Sequence, residues 1–416
     1  MNHSHRFLPA GAAALLLTSP LLPGGGFQIG ERSAAGLGRA FSGEAAIGDD
    51  ATIIGSNPAG MILLQDDYEF SVGASAILPD GDVSGRSFLP GTLPAGIPAS
   101  DTDIAPDVAV PYLYGAHRLT DNFSVGLGVL GRYGLKTDYS DAFANAAITD
   151  SSELITLTIN PSVALRVNEK LTLGAGLDAT YADATLTGTF EGFLGPGAVL
   201  RLEGDGWGFG FNLGVLYELS PATRFGLHYR SEVDIELEGS GVNPTELIVM
   251  TTAASADVTL PDSIEFSAYH ELNSRWAVHG DVLWTDWSDF QELRATTSGG
   301  DLLLFNREEW KDAFRLAAGV TYKHNDKWTF RAGAAFDESP VPDGDRRTLR
   351  IPDGDRYWLS AGLTCRLNAC YTVDVGYAHL FQDDATINEP GADNGTFVGV
   401  AEGGVDILSV GVNGSF

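Results

Sequence analysis

The feature that most restricts what this chain can fold into is a two-residue period that runs on for longer than ordinary strands do. From Arg224 the sequence reads RFGLHYRSEVDIELE. Phe225, Leu227, Tyr229, Val233, Ile235 and Leu237 fall on one face, and His228, Arg230, Glu232, Asp234 and Glu236 on the other. The pattern returns in Phe123, Val125, Leu127 and Val129 opposite Ser124, Gly126, Gly128, Arg132 and Lys136. It returns again in Trp328, Phe330, Ala332 and Ala334 opposite Thr329, Arg331, Gly333 and Ala335. Strands of soluble sheets usually run about 5–6 residues. Strands this long, greasy on one side and wet on the other, fit a sheet that lies between lipid and an aqueous interior.

The connections carry a second, independent pattern. Short polar turns fall at 120–122, 168–170, 220–222, 273–274, 325–326 and 366–368. Longer Gly/Pro/Asp-rich loops fall near 79–106, 138–152, 188–204, 239–256, 295–308, 338–354 and 383–398. Strict alternation of short and long connections predicts about fourteen antiparallel strands. An open sheet edge in lipid would leave backbone amides unpaired, so the sheet must close. The expected fold class is all-β: a transmembrane antiparallel barrel of about fourteen strands, residues 67–416, with a plug before it.

The ends of the chain agree. His3, His5 and Arg6 precede a short apolar run, Leu8 to Leu17, and small residues Gly24 to Gly26, so residues 1–25 are expected to be an export signal. After it, no apolar stretch reaches the length of a membrane-spanning helix. Leu408, Val410, Val412 and Phe416 are in phase, and a last strand ending in Phe resembles the assembly signal of outer-membrane barrels. Trp276 and Trp328 follow short turns, while Trp284, Trp287 and Trp310 lie toward long loops, positions expected for aromatic girdles at the two interfaces. A net charge of -30 excludes a nucleic-acid partner, which would need a basic surface.

Residues 26–66 do not read as strand. They are rich in Gly and Ala, turn-punctuated, and carry Phe27, Ile29, Leu37, Phe41, Ile53, Ile54 and Met61. Side chains fill a barrel interior only up to about eight strands. A fourteen-stranded lumen is therefore a pore or is stoppered, and residues 26–66 are predicted to be the stopper. A periplasmic arm or an extra strand pair is the alternative.

Several ordered motifs carry a family likeness: Gly26-Phe27-Gln28, GLGRAFSGEAAIGDDA from Gly36, Asn57-Pro58-Ala59, VGLGVLGRYGLKTDY from Val125, DGWGFGFNLGVLYELSPATRFGLHYRSEV from Asp205, WTFRAGAAFDESPVP from Trp328 and RIPDGDRYWLSAGL from Arg350. Over nearly the whole mature chain the sequence resembles the FadL-type outer-membrane transport proteins for long-chain fatty acids and other hydrophobic compounds. The resemblance implies a fourteen-stranded barrel whose N-terminal hatch blocks the lumen and moves to release ligand sideways through a kink in the third strand, here Phe123 to Lys136. It places a gate at Asn57, Pro58 and Ala59. The implied function is passive import by a monomer that sits among outer-membrane lipid and lipopolysaccharide, with Phe416 read by the barrel-assembly machinery.

A fatty acid is an apolar tail with one carboxylate, so its site needs a greasy cavity and one or two basic groups. Arg132, Lys136, Arg307, Lys311 and Arg315 are the candidate cations, each equally able to neutralise a neighbouring Asp or Glu. Phe27, Leu37, Phe41 and Ile53 are the candidate apolar contacts, with core packing the alternative. Apolar pockets discriminate weakly by chemistry, so fatty acid, alkane, aromatic and terpenoid substrates all stay open.

Other motifs are declined. GLGVLG from Gly126 spells a dinucleotide fingerprint but lies inside an alternating strand with no helix after it. Asp343-Gly-Asp345 and Asp353-Gly-Asp355 lack the full calcium-loop pattern and read as solvated loop carboxylates. Cys365 and Cys370 flank a tight turn, but alternation sends them to opposite faces, so a disulfide is left open. No catalytic residue, cofactor or metal is expected. A barrel enzyme would need a nucleophile beside a base, and none of His228, His270, His279 or His379 follows a serine motif. A polar-solute porin is the main rival.

Overall fold

The computed structural model describes residues 25–88, 95–140, 142–146, 149–192, 195–242, 251–391 and 395–416, with backbone alone for 189–192, 195–200 and 391. Of the expected export signal, residues 1–25, all but Gly25 lie outside them. Fourteen antiparallel strands form one closed barrel. They are β1 (Tyr68–Phe88), β2 (Ile97–Asp101 and Val108–Thr120), β3 (Phe123–Leu130 and Gly134–Asp138), β4 (Ser151–Asn168), β5 (Leu171–Gly192), β6 (Gly195–Ser220) and β7 (Thr223–Arg230 and Val233–Val242). The circuit continues with β8 (Thr251–Leu260 and Ser263–Glu271), β9 (Trp276–Thr285 and Glu292–Thr297), β10 (Leu302–Arg307 and Ala313–Lys323), β11 (Trp328–Asp337), β12 (Arg356–Arg366), β13 (Tyr371–Gln382 and Ala385–Gly391) and β14 (Gly395–Ser415). Closure is made by β1 on β14, in register from Glu69 opposite Ser415 to Phe88 opposite Thr396.

The short turns fall where the sequence places them. Several long loops are shorter than expected, because β1 runs on to Phe88, β5 to Gly192 and β13 resumes at Ala385. Leu127, Leu165, Leu173, Leu227, Phe266, Leu316, Phe330, Leu359 and Leu408 are all 42–57% exposed and ring the outside of the barrel. So continuous an apolar band is unstable against water and at home in lipid.

Several strands break just above one rung of the ladder. Arg230 on β7 pairs with Ser263 on β8, Ser263 with Thr285 on β9, and Thr285 with Ala313 on β10. Directly above that rung each of the four strands is interrupted. The interruption reverses the faces. Leu227 points out to lipid, whereas Val233, Ile235 and Leu237 are buried inside. The single face predicted for Phe225 to Leu237 is thus two faces, because the bend at 231–232 rotates the strand without changing the parity of the sequence. β8 behaves alike, with Ile264 and Phe266 outside but Val258 and Leu260 inside. Below the rung the lumen is polar; above it the wall turns its apolar side inward.

The lower lumen is occupied by residues 33–64. A short helix α1, Ala34–Leu37, is capped by Ser33 and followed by 3₁₀ turns Ala51–Gly55 and Pro58–Leu63, capped by Asp50 and Asn57. The wall carries glycine at several points where the backbone of this segment comes closest to it. A Cβ on Gly226 would lie 1.9 Å from the Ala45 carbonyl oxygen, on Gly333 2.2 Å from that of Arg39, and on Gly376 2.3 Å from that of Ala34. Gly174 and Gly214 meet Ala59 and Asn57 in the same way. Charged groups in this interior are paired: Arg230 with Asp178 at 2.8 Å, Arg39 with Glu44 at 2.5 Å, Arg331 with Asp49 at 3.1 Å.

Candidate functional site: an apolar cavity beside a break in the wall

β3 is where the barrel wall is incomplete. Its pairing with β2 ends at Leu130 opposite Tyr112, and its upper piece, Gly134–Asp138, has ladder pairing only to β4. The break at residues 131–133 leaves backbone groups to satisfy. Thr156 on β4 satisfies two of them, its hydroxyl accepting from the Tyr133 amide at 3.0 Å and donating to the Tyr133 carbonyl at 2.7 Å.

The start of the described chain satisfies two more. Ile29 donates its amide to the Arg132 carbonyl at 2.7 Å, and the Phe27 carbonyl accepts from the Gly134 amide at 2.9 Å. The Phe27 ring is enclosed by Tyr133, Trp287, Phe290 and Trp310, with centroids 4.7–5.9 Å away and mostly edge-on. Gly26 has a φ of 66°, and a Cβ there would enter the Trp310 and Trp287 rings at 2.6 and 2.8 Å. The preceding amides are held by Asp337, at the end of β11, and by Asp353 in the loop after it: Gly25 at 3.1 Å and Gly26 at 3.0 Å respectively.

Above Phe27 lies an apolar cavity that is open at its mouth. Its wall combines Phe27, Leu135, Leu154, Leu186, Leu202, Leu237, Val258, Phe290, Leu293, Leu304 and Ile351. Leu135, Leu237, Val258, Leu293 and Leu304 come from strand pieces above the breaks, so the reversal of faces supplies part of the cavity wall. Its lining suits an apolar ligand.

Of the apolar residues singled out from sequence, only Phe27 lines this cavity. Leu37 and Phe41 pack lower down with Trp358, and Ile53 packs with Ile54, Met61 and Tyr114. Every candidate cation has an acidic partner. Arg132 is 3.8 Å from Asp178, Lys136 3.4 Å from Glu153, Lys311 3.2 Å from Glu338 and Arg315 3.9 Å from Asp281; Arg307 pairs with Glu309. Lys136 shares sequence parity with Arg132, but the break in β3 turns Leu135 inward in its place. Asn57, Pro58 and Ala59 sit against β5 and β6, with the Asn57 amide donating to the Val215 carbonyl at 3.1 Å, whereas the break itself is met by Phe27 and Ile29.

Two sequence expectations are corrected. Trp287 and Trp310 are not interfacial; both are about 98% buried around Phe27. Asp353 is not solvated; it is fully buried, accepting from Gly26 and from the Ser339 hydroxyl at 2.6 Å and pairing with Arg356. A serine does meet a histidine, Ser42 to His279 at 2.7 Å, but Thr321 takes the other ring nitrogen where a triad needs an acid. Cys365 stands opposite Val373, and both cysteines are free thiols.

A family model for outer membrane protein transport proteins (OMPP1/FadL/TodX) matches residues 15–416. The chain belongs to the OMPP1/FadL/TodX family. Among its FadL-type relatives, the long-chain fatty acid transport protein of Salmonella typhi is 39% identical over 410 residues, covering 91% of this chain and 92% of that protein. Outer membrane protein P1 of Haemophilus influenzae is 33% identical over 414 residues, 88% of this chain and 89% of that protein. The fold matches a Pseudomonas aeruginosa FadL homologue with a TM-score of 0.84 at 22% identity, over 94% of this chain and 100% of that structure. This FadL-family chain is therefore an outer-membrane barrel, with its short turns on the periplasmic side and its cavity toward the cell exterior.

Proposed function

We propose that this protein imports long-chain fatty acids or similarly hydrophobic compounds across the outer membrane by passive, gated diffusion. One observation carries the reading: Phe27 is at once a wall of the apolar cavity and the residue whose backbone lies along the break in β3. A ligand held above Phe27 is thus separated from the side of the barrel by one short segment. In this reading residues 1–25 are the export signal, 26–66 the hatch and 67–416 the barrel. Ligand displaces Phe27, the contacts to Arg132 and Gly134 are lost, and the ligand leaves between β2 and β3. The relatives named for fatty-acid transport support the substrate class.

A polar-solute porin needs an open bore, and the dense fit of residues 33–64 against wall glycines speaks against one. Phe416 is 52% exposed and stacks on Phe70, an arrangement suited to a terminal strand presented to assembly machinery. We read the barrel as a monomer set among lipid and lipopolysaccharide.

The test is uptake of a labelled long-chain fatty acid by cells whose own transporter is deleted, comparing the full chain with a variant lacking residues 26–66. Transport by the full chain, with a leaky and unselective pore from the deletion, is the expected outcome. Unchanged conductance after the deletion overturns the hatch, and absence of uptake for fatty acids and hydrocarbons alike overturns the transport reading.

A further inference from the structure

The cavity above Phe27 is greasy, but its two charged lining groups are both acids, Glu153 and Glu203. Among the described residues no lysine or arginine lines it. The cations on the same strand pieces are already committed, Lys136 to Glu153 at 3.4 Å and Arg201 to Glu203. Arg132 lies deeper and is buried beside Asp178. The internal stretches of sequence outside the described side chains add none: 89–94, 141, 147–148, 189–200, 243–250 and 391–394 contain no lysine or arginine.

An anion entering such a space loses its hydration without gaining a counter-charge. The two acids at the wall hold the only nearby cations in ion pairs, so neither Lys136 nor Arg201 is available to a third anion. An uncharged chain of the same length gains the same apolar burial without that cost.

We infer that the cavity selects uncharged hydrophobic molecules (long-chain alcohols, esters, alkanes, or a fatty acid carrying its proton) over the corresponding anions. This rests on the reading of the cavity as the ligand site. It adds to that reading that the head group is accepted neutral, so an ionised acid must take up a proton before it is seated.

The test uses the purified full chain in nanodiscs and an uncharged fluorescent probe, displaced by hexadecan-1-ol, methyl hexadecanoate or hexadecyl sulfate, the last being anionic at every accessible pH. Concentrations are referred to the lipid phase, so that partitioning is common to all three. The alcohol and the ester should displace the probe at concentrations at least tenfold below the sulfate. In the Glu153→Gln/Glu203→Gln variant, with folding verified by heat-modifiable migration, the gap should narrow at least threefold through a gain for the sulfate alone. A wild-type gap below tenfold, or a sulfate that binds tighter, overturns the inference and leaves the transport reading standing. If none of the three displaces the probe and the cavity-filling Leu237→Trp leaves probe binding unchanged, the cavity is not the ligand site and both fall.

Discussion

Phe27 and Tyr133 meet edge to face with ring centroids 5.9 Å apart, one from the chain's leading end and the other from the break in the third strand. The pair joins the floor of the cavity to the incomplete part of the wall. Removing the ring should therefore loosen both together. Phe27→Ala leaves Tyr133, Trp287, Phe290 and Trp310 around a void, a change that costs about 3–5 kcal/mol in well-packed cores. The barrel should survive, since the β1–β14 closure does not depend on Phe27. Planar-bilayer recordings should show raised basal leak, and hydrogen exchange should show lost protection at Ile29 and Gly134.

The wall glycines should be as necessary as any side chain. Gly226→Val places atoms where the Ala45 carbonyl oxygen now lies. Overpacking of this kind costs about 1–3 kcal/mol where a neighbour can shift. The expected result is a barrel that still migrates as a folded, heat-modifiable species but whose residues 40–60 are cut by protease added from the periplasmic side. Retained protease resistance would show that the segment does not rely on that contact.

Asp353 should act as a tether. Its carboxylate is buried with Arg356 and accepts the Gly26 amide at 3.0 Å. Asp353→Asn keeps the shape but removes the charge, and charge-assisted hydrogen bonds contribute about 1.5–3 kcal/mol. The leading segment should then spend more time released, seen as faster exchange of the Ile29 amide and higher uptake at limiting ligand. Exchange rates equal to wild type would sink this prediction.

Glu31 gives the seat of the leading segment a pH dependence. Burial pushes its carboxyl up to about 7, and the nearby Arg315 and Arg32 offset only part of that effect. A carboxyl raised in the seated state binds its proton more tightly there than in water. Its contribution is therefore fully present below the ordinary value near 4.5, declines as pH rises from there, and is lost by the time pH passes about 7. Basal leak should increase between pH 5 and pH 8, and Glu31→Gln should flatten the profile. A wild-type leak that falls or stays level over that range counts against the assignment.

Much of this architecture was legible before any coordinates. Period-two alternation and the turn spacing between Asp121 and Leu367 were enough for strand number and closure, because lipid permits so few alternatives. The site was legible only at Phe27. What hid the cavity was parity: Leu227 and Leu237 stand ten residues apart on what counts as one face, and only the bend at 231–232 sends one to lipid and the other inward. The same effect moved Lys136 off the lining and put Leu135 on it. Asp353 was misplaced because its Asp-Gly-Asp setting reads as surface loop, while its partner, the Gly26 amide, is 327 residues away. The wall glycines were a signal in plain view. Gly226, Gly333 and Gly376 interrupt strands at positions where a side chain would otherwise face the lumen, and a glycine inside a strand asks what comes close to it.

The unbroken seam from Glu69–Ser415 to Phe88–Thr396 favours one order of biogenesis. Residues 33–64 precede the first strand yet end up encircled by all fourteen, so after closure they would have to enter through an open end. A route that seats them against the wall while the cylinder is still open avoids that passage, and on it the β1–β14 zipper is the later event. Pulse-labelled chains trapped by cysteine crosslinks should show Ser267 joined to Ala45 no later than Val72 is joined to Val412.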